Sequence, residues 1–134
     1  ANELGIKAQY LGGDGWDGIQ TNFGAQAEGA IFASQFAPDD TDPSVQKFIA
    51  DYKAKYSKEP TIFEALGYDT ATVVENALKN TKELTRDAIK DALAATNGLN
   101  LVTGSFKFDA DRNPEKKVTF IEVKGGKLTL KEKR

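Results

Sequence analysis

The chain has 134 residues, which is enough for one domain of ordinary size with a buried core. Hydrophobic residues make up 40% and charged residues 28%, and the net charge of −2 gives no electrostatic footprint for nucleic acid or an anionic membrane. There is no Cys and no His, which excludes thiol nucleophiles, Ser–His relays, and thiolate or imidazole metal sites.

The N-terminal third is predicted to hold two short strands. Before them, the polar residues 1–7 predict the tail of a helix that ends at Gly5. The chain has no Met, so we expect that a segment upstream has been removed. The strands are expected over residues 7–11 and 27–36, and the turn-forming residues 37–43 lead out of the second one.

A glycine-rich loop, YLGGDGWDG over residues 10–18, separates these strands and is the most informative segment. Its glycines allow turns closed to other residues and let a ligand approach the backbone. Asp14 adds negative charge and Trp16 a flat apolar face, a pair that suits the α-ammonium end of an amino acid. The alternative is a tight strand-to-helix turn in which Asp17 caps the helix and Trp16 is a packing lid. The residues alone leave both open.

The same loop matches the dinucleotide-binding pattern G-x-G-x-x-G, with acidic residues roughly 20 positions later. We reject this interpretation because Asp14 and Asp17 would put two negative charges beside the pyrophosphate. In addition, residues 19–24 carry no apolar stripe of helical period.

Three amphipathic helices are predicted in the middle of the chain. The first begins at Ser44, and the second and longest covers residues 63–79. Thr85 is the predicted N-cap of the third helix, which runs to about Ala95 and is closed by a turn at Gly98.

The C-terminal part changes to strand periodicity. One strand is predicted around residues 106–108, and a second over residues 118–123 turns back through a Gly-Gly pair into a hairpin. The Lys-rich residues 124–134 are expected to be a solvated strand edge.

Asp109, Asp111 and Asn113 open like a calcium-binding loop. The sixth position, which needs Gly, is Pro114, and the twelfth, which needs a bidentate Glu, is Phe120. We therefore favour a plain turn and expect no bound metal.

Several short motifs occur in a characteristic order. They are LGGDGWD at 11–17, EG at 28–29, FAPDD at 36–40, YKAKY at 52–56, EP at 59–60, ALGYD at 65–69, VTG at 102–104, FD at 108–109, NP at 113–114 and the closing hairpin. This order resembles the C-terminal part of periplasmic branched-chain (leucine/isoleucine/valine) amino-acid-binding proteins, the type I solute-binding proteins of ABC importers. The resemblance runs from about residue 5 to residue 126.

The resemblance implies an α/β fold, as a fragment of a two-lobed type I periplasmic-binding-protein fold with parallel strands, helices and a C-terminal β-hairpin. Residues 1–36 would be a remnant of the second lobe with the ligand loop. Residues 37–116 would be part of the first lobe, with three helices and a strand, and residues 117–134 the hairpin that returns to the second lobe. Because such a fragment leaves apolar faces uncovered, we expect it to repack or to self-associate by strand or domain exchange.

The resemblance also implies site residues. In the family, a carboxylate in this loop binds the α-ammonium group of the ligand, and the matching residue here is Asp14. Trp16 lies where the family packs an apolar wall, and Phe63 matches an aromatic residue that the other lobe presents across the cleft. Glu64 departs from the family, which more often has a small residue there. It either shifts the preference toward a polar or basic ligand or points to solvent.

The function that the resemblance implies is the extracytoplasmic solute-binding component of an ABC importer, periplasmic or extracellular and either free or lipid-anchored. It would bind a branched-chain or related small amino acid and, in an intact parent, an ABC permease. The alternative is the amino-acid-sensing domain of a receptor on the same fold. With half of the cleft missing, we expect that the chain alone is not a competent binding unit.

An enzyme is not expected, and neither is a cofactor. Asp14 paired with Asp17 or Glu64 as acid and base would be the catalytic hypothesis for a hydrolase, but no orienting residue supports it. A flavodoxin-like nucleotide domain is the other enzyme hypothesis, and the rejected dinucleotide pattern is its only support.

Overall fold

The structure is a computed structural model that describes residues 2–134. A 3-10 turn, Asn2–Leu4, precedes Gly5, whose φ of 63° is left-handed. The predicted helix tail is therefore a single 3-10 turn within the described residues, and its first position, Ala1, lies outside them.

Residues 2–134 contain four α-helices and seven strands. The helices are α1 Ile19–Phe23, α2 Pro43–Tyr56, α3 Ile62–Asn80 and α4 Arg86–Ala94. The strands are β1 Leu11–Gly12, β2 Ile31–Ser34, β3 Leu99–Leu101, β4 Gly104–Phe108, β5 Pro114–Glu115, β6 Thr119–Lys124 and β7 Lys127–Lys133. A second 3-10 turn, Gly24–Ala27, follows α1.

A four-stranded sheet joins the two ends of the chain in the order β1-β2-β6-β7. Along β6, Thr119, Ile121 and Val123 are buried and alternate with more exposed residues, as expected for a strand with one face on a core. The β6–β7 pairing forms the predicted hairpin, with a register shift between Phe120 and Ile121. β7 is an edge strand of this sheet, so the predicted Lys-rich edge is confirmed.

A three-stranded antiparallel sheet, β3-β4-β5, lies in the middle of the chain. The strand predicted around residues 106–108 is confirmed as β4, whereas β3 and β5 were not predicted. The α/β fold with a C-terminal hairpin is confirmed, with one correction. Among the described strands only β1 and β2 pair in parallel, and all other pairs are antiparallel.

The three long helices lie where the 3.6-residue periodicity predicts them. Thr85 caps α4 as predicted, since its Oγ1 accepts a hydrogen bond from Ala88 N at 3.3 Å. The short helix α1 was expected only under the strand-to-helix alternative for the glycine loop. Its N-cap is Gly18, with φ of 91° and no side-chain hydrogen bond, so the interpretation of Asp17 as a helix cap is wrong.

A buried carboxylate fastens α3 to the turn between β3 and β4. Asp69 accepts hydrogen bonds from Val102 N at 2.8 Å, Thr103 N at 2.9 Å and Thr103 Oγ1 at 2.6 Å. Lys116 donates to the same Thr103 hydroxyl. Burial lowers the pKa of Lys116, and the charge of Asp69 opposes that effect.

Two separate hydrophobic cores accompany the two sheets. The core under the four-stranded sheet consists of Ala27, Ala30, Phe32, Ala37, Ile121 and Val123. The core between α2, α3 and the three-stranded sheet consists of Phe36, Val45, Phe48, Ile49, Ile62, Ala65 and Val102. Because the adjacent residues Phe36 and Ala37 enter different cores, the chain crosses from one unit to the other at this point.

The segment after this crossing is tied to β7. Asp39 Oδ1 accepts a hydrogen bond from Leu130 N at 2.8 Å, and the buried Asp40 forms an ion pair with Lys133. The four-stranded sheet draws its strands from residues 1–36 and 117–134, and the other sheet from residues 37–116. The assignment of these segments to two lobes stays a prediction.

Candidate functional site

The glycine-rich loop connects β1 to α1 and is held by its tryptophan. The indole of Trp16 is half-buried and lies over Gly12, where an added Cβ would be 2.6 Å from Trp16 Cε2. The indole also packs against Phe32, with ring centroids 6.4 Å apart. Gly12 is therefore required for close approach, and the indole anchors the loop to the core of the four-stranded sheet.

Asp14 lies exposed at the outer part of this loop. Within residues 2–134 its carboxylate forms no hydrogen bond and no ion pair. A carboxylate without an internal partner is free to bind a cationic group from outside.

A cavity of about 430 Å³ lies between the glycine loop, α1 and the start of α3. This volume falls in the range of sites for small ligands. The cavity is lined by Asp17, Gly18, Gln20, Thr21, Phe36, Pro38, Glu59, Pro60, Thr61, Ile62, Phe63 and Leu128. Phe63 is 76% exposed at the first turn of α3, so its ring is open to contact from this side.

Asp17 is the half-buried acid of this cavity. Burial raises the pKa of Asp17, an effect opposed by a main-chain hydrogen bond and by Ser34 and reinforced by the charge of Asp14. Ser34 Oγ lies 3.4 Å from Asp17 Oδ1, which is a long hydrogen bond. Nearby on α1, Gln20 Oε1 is buried without a hydrogen-bond partner among the described residues.

Glu64 belongs to the end of α3 and serves that helix. Its carboxylate accepts hydrogen bonds from Thr61 N at 2.8 Å and from the Thr61 hydroxyl, while Thr61 Oγ1 accepts from Phe63 N at 3.3 Å. This is a capping box, which satisfies main-chain donors that have no partner within the helix. These hydrogen bonds lower the pKa of Glu64, that from the Thr61 hydroxyl most strongly.

The three residues predicted for the site do not share one cavity. Phe63 lines the cavity just described, and Trp16 lines a separate apolar cavity of about 230 Å³ with Tyr10, Ile19 and Phe23. Asp14 lines neither. The contacts of all three with a ligand stay predictions.

Asp17 and Gln20 were missed as lining residues. Their only signal in the sequence is their place on either side of Gly18 at the end of the glycine loop.

The calcium-like motif forms a turn. Asp109 Oδ1 accepts hydrogen bonds from Asp111 N at 2.8 Å and Asn113 N at 2.7 Å, which is the turn interpretation favoured from the sequence. In the described part of the chain, no three acidic side chains converge as metal ligands. No helix within residues 2–134 combines the length and apolar character needed to cross a membrane.

Comparison with known proteins gives a consistent picture. A family model described as periplasmic binding protein matches residues 1–127. No curated protein sequence matches the chain significantly.

Several solved structures are similar over nearly the whole chain. The leucine-binding protein LivK from Thermotoga maritima is 29% identical with a TM-score of 0.87, covering 99% of this chain and 39% of that chain. The LivJ protein from Streptococcus pneumoniae, solved with isoleucine, is 33% identical with a TM-score of 0.81, covering 100% of this chain and 40% of that one.

A solute-binding protein from R. palustris, solved with benzoate, is 25% identical with a TM-score of 0.79, covering 98% of this chain and 36% of that one. The chain therefore spans 36% to 40% of the length of these three proteins.

Proposed function

Because this chain belongs to the periplasmic binding protein family, we propose that it is part of the solute-binding component of an ABC importer for a branched-chain or related small amino acid. The family is one of solute-binding proteins rather than enzymes, and membership implies an extracytoplasmic location. We propose that the chain itself is not catalytic and that its partner in an intact importer is an ABC permease.

The observation that carries this proposal is the cavity of about 430 Å³ between the glycine loop and α3. Its walls come from both structural units, with Asp17 from the loop on one side and Phe63 on the other. A ligand held there contacts both units at once. This is the arrangement in which closure of two units around a solute excludes water from it.

The free carboxylate of Asp14 favours a ligand that carries an ammonium group. Leucine and isoleucine carry both an ammonium and a carboxylate, whereas benzoate, bound by one of the relatives, has only the carboxylate. An exposed acid without an internal partner would repel a simple carboxylate and attract a zwitterion through its positive end. Asp14 lines neither cavity in this structure, so we propose that the loop closes on the ligand: Asp14 then binds the α-ammonium group, with Phe63 against the aliphatic part and Trp16 as the apolar wall beside the loop.

We propose that the chain alone is not a competent binding unit and keeps at most a weak affinity, since it lacks the part of the relatives that would complete the cleft. Millimolar affinity corresponds to only about 4 kcal/mol of binding free energy. Chemical-shift changes in NMR spectra, recorded with leucine up to tens of millimolar, are suited to such affinities.

The test is the substitution Asp14→Asn in the 134-residue chain. A charge-assisted hydrogen bond is worth about 1.5–3 kcal/mol, so leucine binding should weaken by about tenfold to a hundredfold. Asp111→Asn makes the same chemical change at an exposed carboxylate outside the loop and should leave the binding unchanged. Equal affinities for the two variants would remove Asp14 from the site.

A further inference from the structure

A further cavity, of about 370 Å³, lies between α3, α4 and the three-stranded sheet. Its walls are mainly apolar and include Val73 of α3, Leu93 of α4, and Phe106 and Phe108 of β4. The two phenyl rings pack edge to face, with centroids 4.7 Å apart. A cavity of this size with aromatic walls fits a small apolar molecule, in particular one with an aromatic ring. It shares no described lining residue with the cavity beside the glycine loop.

Lys116, the residue that follows β5, adds an amine to this apolar wall. It is half-buried, and its Nζ donates a hydrogen bond to Thr103 Oγ1. Among the described residues, the other charged group that lines the cavity is Asp69. No carboxylate within residues 2–134 forms an ion pair with Lys116, and the adjacent Glu115 is already paired with Lys107 at 2.5 Å. The amine is therefore open to a molecule in the cavity.

The hydrogen bonds around Lys116 leave its nitrogen free to react. Thr103 donates its single hydroxyl hydrogen to Asp69 Oδ2 at 2.6 Å, so it can only accept from Lys116. The lone pair of the neutral amine is therefore not held by Thr103. Burial lowers the pKa of Lys116 below its ordinary value of 10.5, against the opposing charge of Asp69, so more of this amine is neutral at a given pH. A neutral, desolvated lysine amine is a nucleophile for carbonyl compounds.

From this geometry we propose that Lys116 is a site of covalent modification by apolar aldehydes, which enter the cavity and form an imine with its Nζ. The lone pair of Nζ attacks the carbonyl carbon and a C–N bond forms. The carbonyl oxygen then leaves as water with the two hydrogens of the neutral amine, so the step needs no oxidant or reductant. Solvent protonates the imine nitrogen, and the nearby charge of Asp69 stabilises the resulting cation. This site is separate from the proposed amino-acid site, and neither proposal rests on the other.

The test treats the 134-residue chain with benzaldehyde and sodium cyanoborohydride at neutral pH, which converts each imine into a stable secondary amine. The matched control is the exposed neighbour Lys117 in the same molecule. Cleavage after glutamates gives one peptide, residues 116–122, that contains both lysines, and its fragmentation by mass spectrometry assigns the label. We expect Lys116 to be labelled about tenfold faster than Lys117, because the aromatic ring is buried against the apolar wall.

Two further reagents separate the effect of the cavity from that of the amine. Glycolaldehyde reacts with amines but has no apolar part to seat in the cavity, so its ratio of labelling at Lys116 to labelling at Lys117 should lie well below that of benzaldehyde. Benzyl alcohol has nearly the shape of benzaldehyde without the reactive carbonyl. It should slow the labelling of Lys116 by benzaldehyde and leave that of Lys117 unchanged.

Three results would overturn the proposal. Equal labelling of the two lysines by benzaldehyde would mean that Lys116 has no special reactivity. A ratio as high with glycolaldehyde as with benzaldehyde would mean that the cavity contributes nothing. In the chain unfolded by guanidinium chloride the preference for Lys116 should disappear, and a preference that survives unfolding would mean that the local sequence, and not the cavity, produces it.

Discussion

At the scale of single residues, the glycine loop shows two different reasons for glycine. Gly15 and Gly18 have φ values of 81° and 91°, in the left-handed region that residues with a Cβ rarely adopt. Gly12 has no positive φ, and what it provides is room for the indole of Trp16. Gly13, its neighbour, is constrained in neither way.

The first prediction compares Gly12→Ala with Gly13→Ala. An added methyl at Gly12 would meet the Trp16 ring at 2.6 Å and has to displace it, which should cost about 1–3 kcal/mol of unfolding free energy. A methyl at Gly13 meets nothing within 4 Å and should be tolerated. Trp16 is the only tryptophan of the chain, so its fluorescence during urea unfolding reports both the displacement and the stability. Equal stability of the two variants would contradict the packing of Trp16 on Gly12.

Which of the two loop acids turns inward could not be predicted from the sequence. Asp14 and Asp17 lie three residues apart in the same loop and have similar local sequence. Their difference in exposure comes from the three-dimensional path of the backbone, which leaves Asp14 exposed and Asp17 half-buried. Glu64 is different, because Thr61 and Glu64 already form the capping-box pattern in the sequence. That local signal was available and would have shown that Glu64 serves the helix.

At the scale of elements, the first turn of α3 determines both the stability of that helix end and the position of a residue of the candidate cavity. Its first turn is fixed by Thr61 and Glu64 at the edge of the candidate cavity, and Phe63 projects from the same turn. The position of Phe63 is therefore coupled to the stability of this helix end.

The second prediction concerns Thr61→Ala. Removing an N-cap side chain typically lowers the free energy of unfolding by about 1 kcal/mol, and we expect a decrease of that size for Thr61→Ala. The control is Thr70→Ala on the same helix, where Thr70 Oγ1 only donates back to the Leu66 carbonyl at 2.8 Å. Because alanine is the better helix former, Thr70→Ala should be neutral or stabilising. Urea denaturation of both variants should show that Thr61→Ala lowers the free energy of unfolding and that Thr70→Ala does not.

The third prediction is a pH dependence. Hydrogen bonds lower the folded-state pKa of Glu64 below its ordinary value of 4.5. Its charged form therefore stabilises the fold above about pH 4.5, and this stabilisation is lost as the pH falls through the lower folded-state pKa. Glu64→Gln keeps an acceptor but does not titrate. The free energy of unfolding of wild type minus that of Glu64→Gln, measured between pH 7 and pH 3, should be constant near neutral pH and decrease in the acid range. A difference that does not change with pH would contradict the role of the Glu64 charge.

Helices were predicted better than strands for a physical reason. The periodicity of α2, α3 and α4 is a local pattern, so each helix can be read from its own residues. The strands β3 and β5 are only three and two residues long, and their pairing partners define them. Asp69 shows the same limit within a helix, because the main-chain groups that make its burial favourable come from the distant residues Val102 and Thr103.

At the scale of the whole molecule, the two structural units are joined by few polar contacts near the crossing after Phe36. Asp40 is buried there and its partner is Lys133, close to the C-terminal end of β7. The similarity to solved structures over nearly the full chain agrees with the fold expected from the order of the motifs. The order of the motifs along the chain therefore predicted the overall fold better than any single helix or strand did.

The fourth prediction tests the connection at the crossing with Lys133→Met. The substitution keeps much of the aliphatic stem but leaves the carboxylate of Asp40 buried without its cation. It should therefore lower the free energy of unfolding by about 1–3 kcal/mol. Lys127→Met, an exposed position on the same strand, should change the stability little. Thermal or urea unfolding distinguishes them, and equal effects would mean that the ion pair does not connect the two units.

The four-stranded sheet has consequences for how copies of the chain could meet. One rim is β7, whose lysines repel a like strand and whose pairing with β6 is already irregular. The opposite rim is β1, which is only two residues long. A long backbone edge is therefore open only along β7, where Leu130 N is already bonded to Asp39, and growth of fibres from this sheet is disfavoured. If copies associate, we propose that they do so through exposed apolar side chains, such as Phe63 or Tyr68 of α3, rather than by strand pairing.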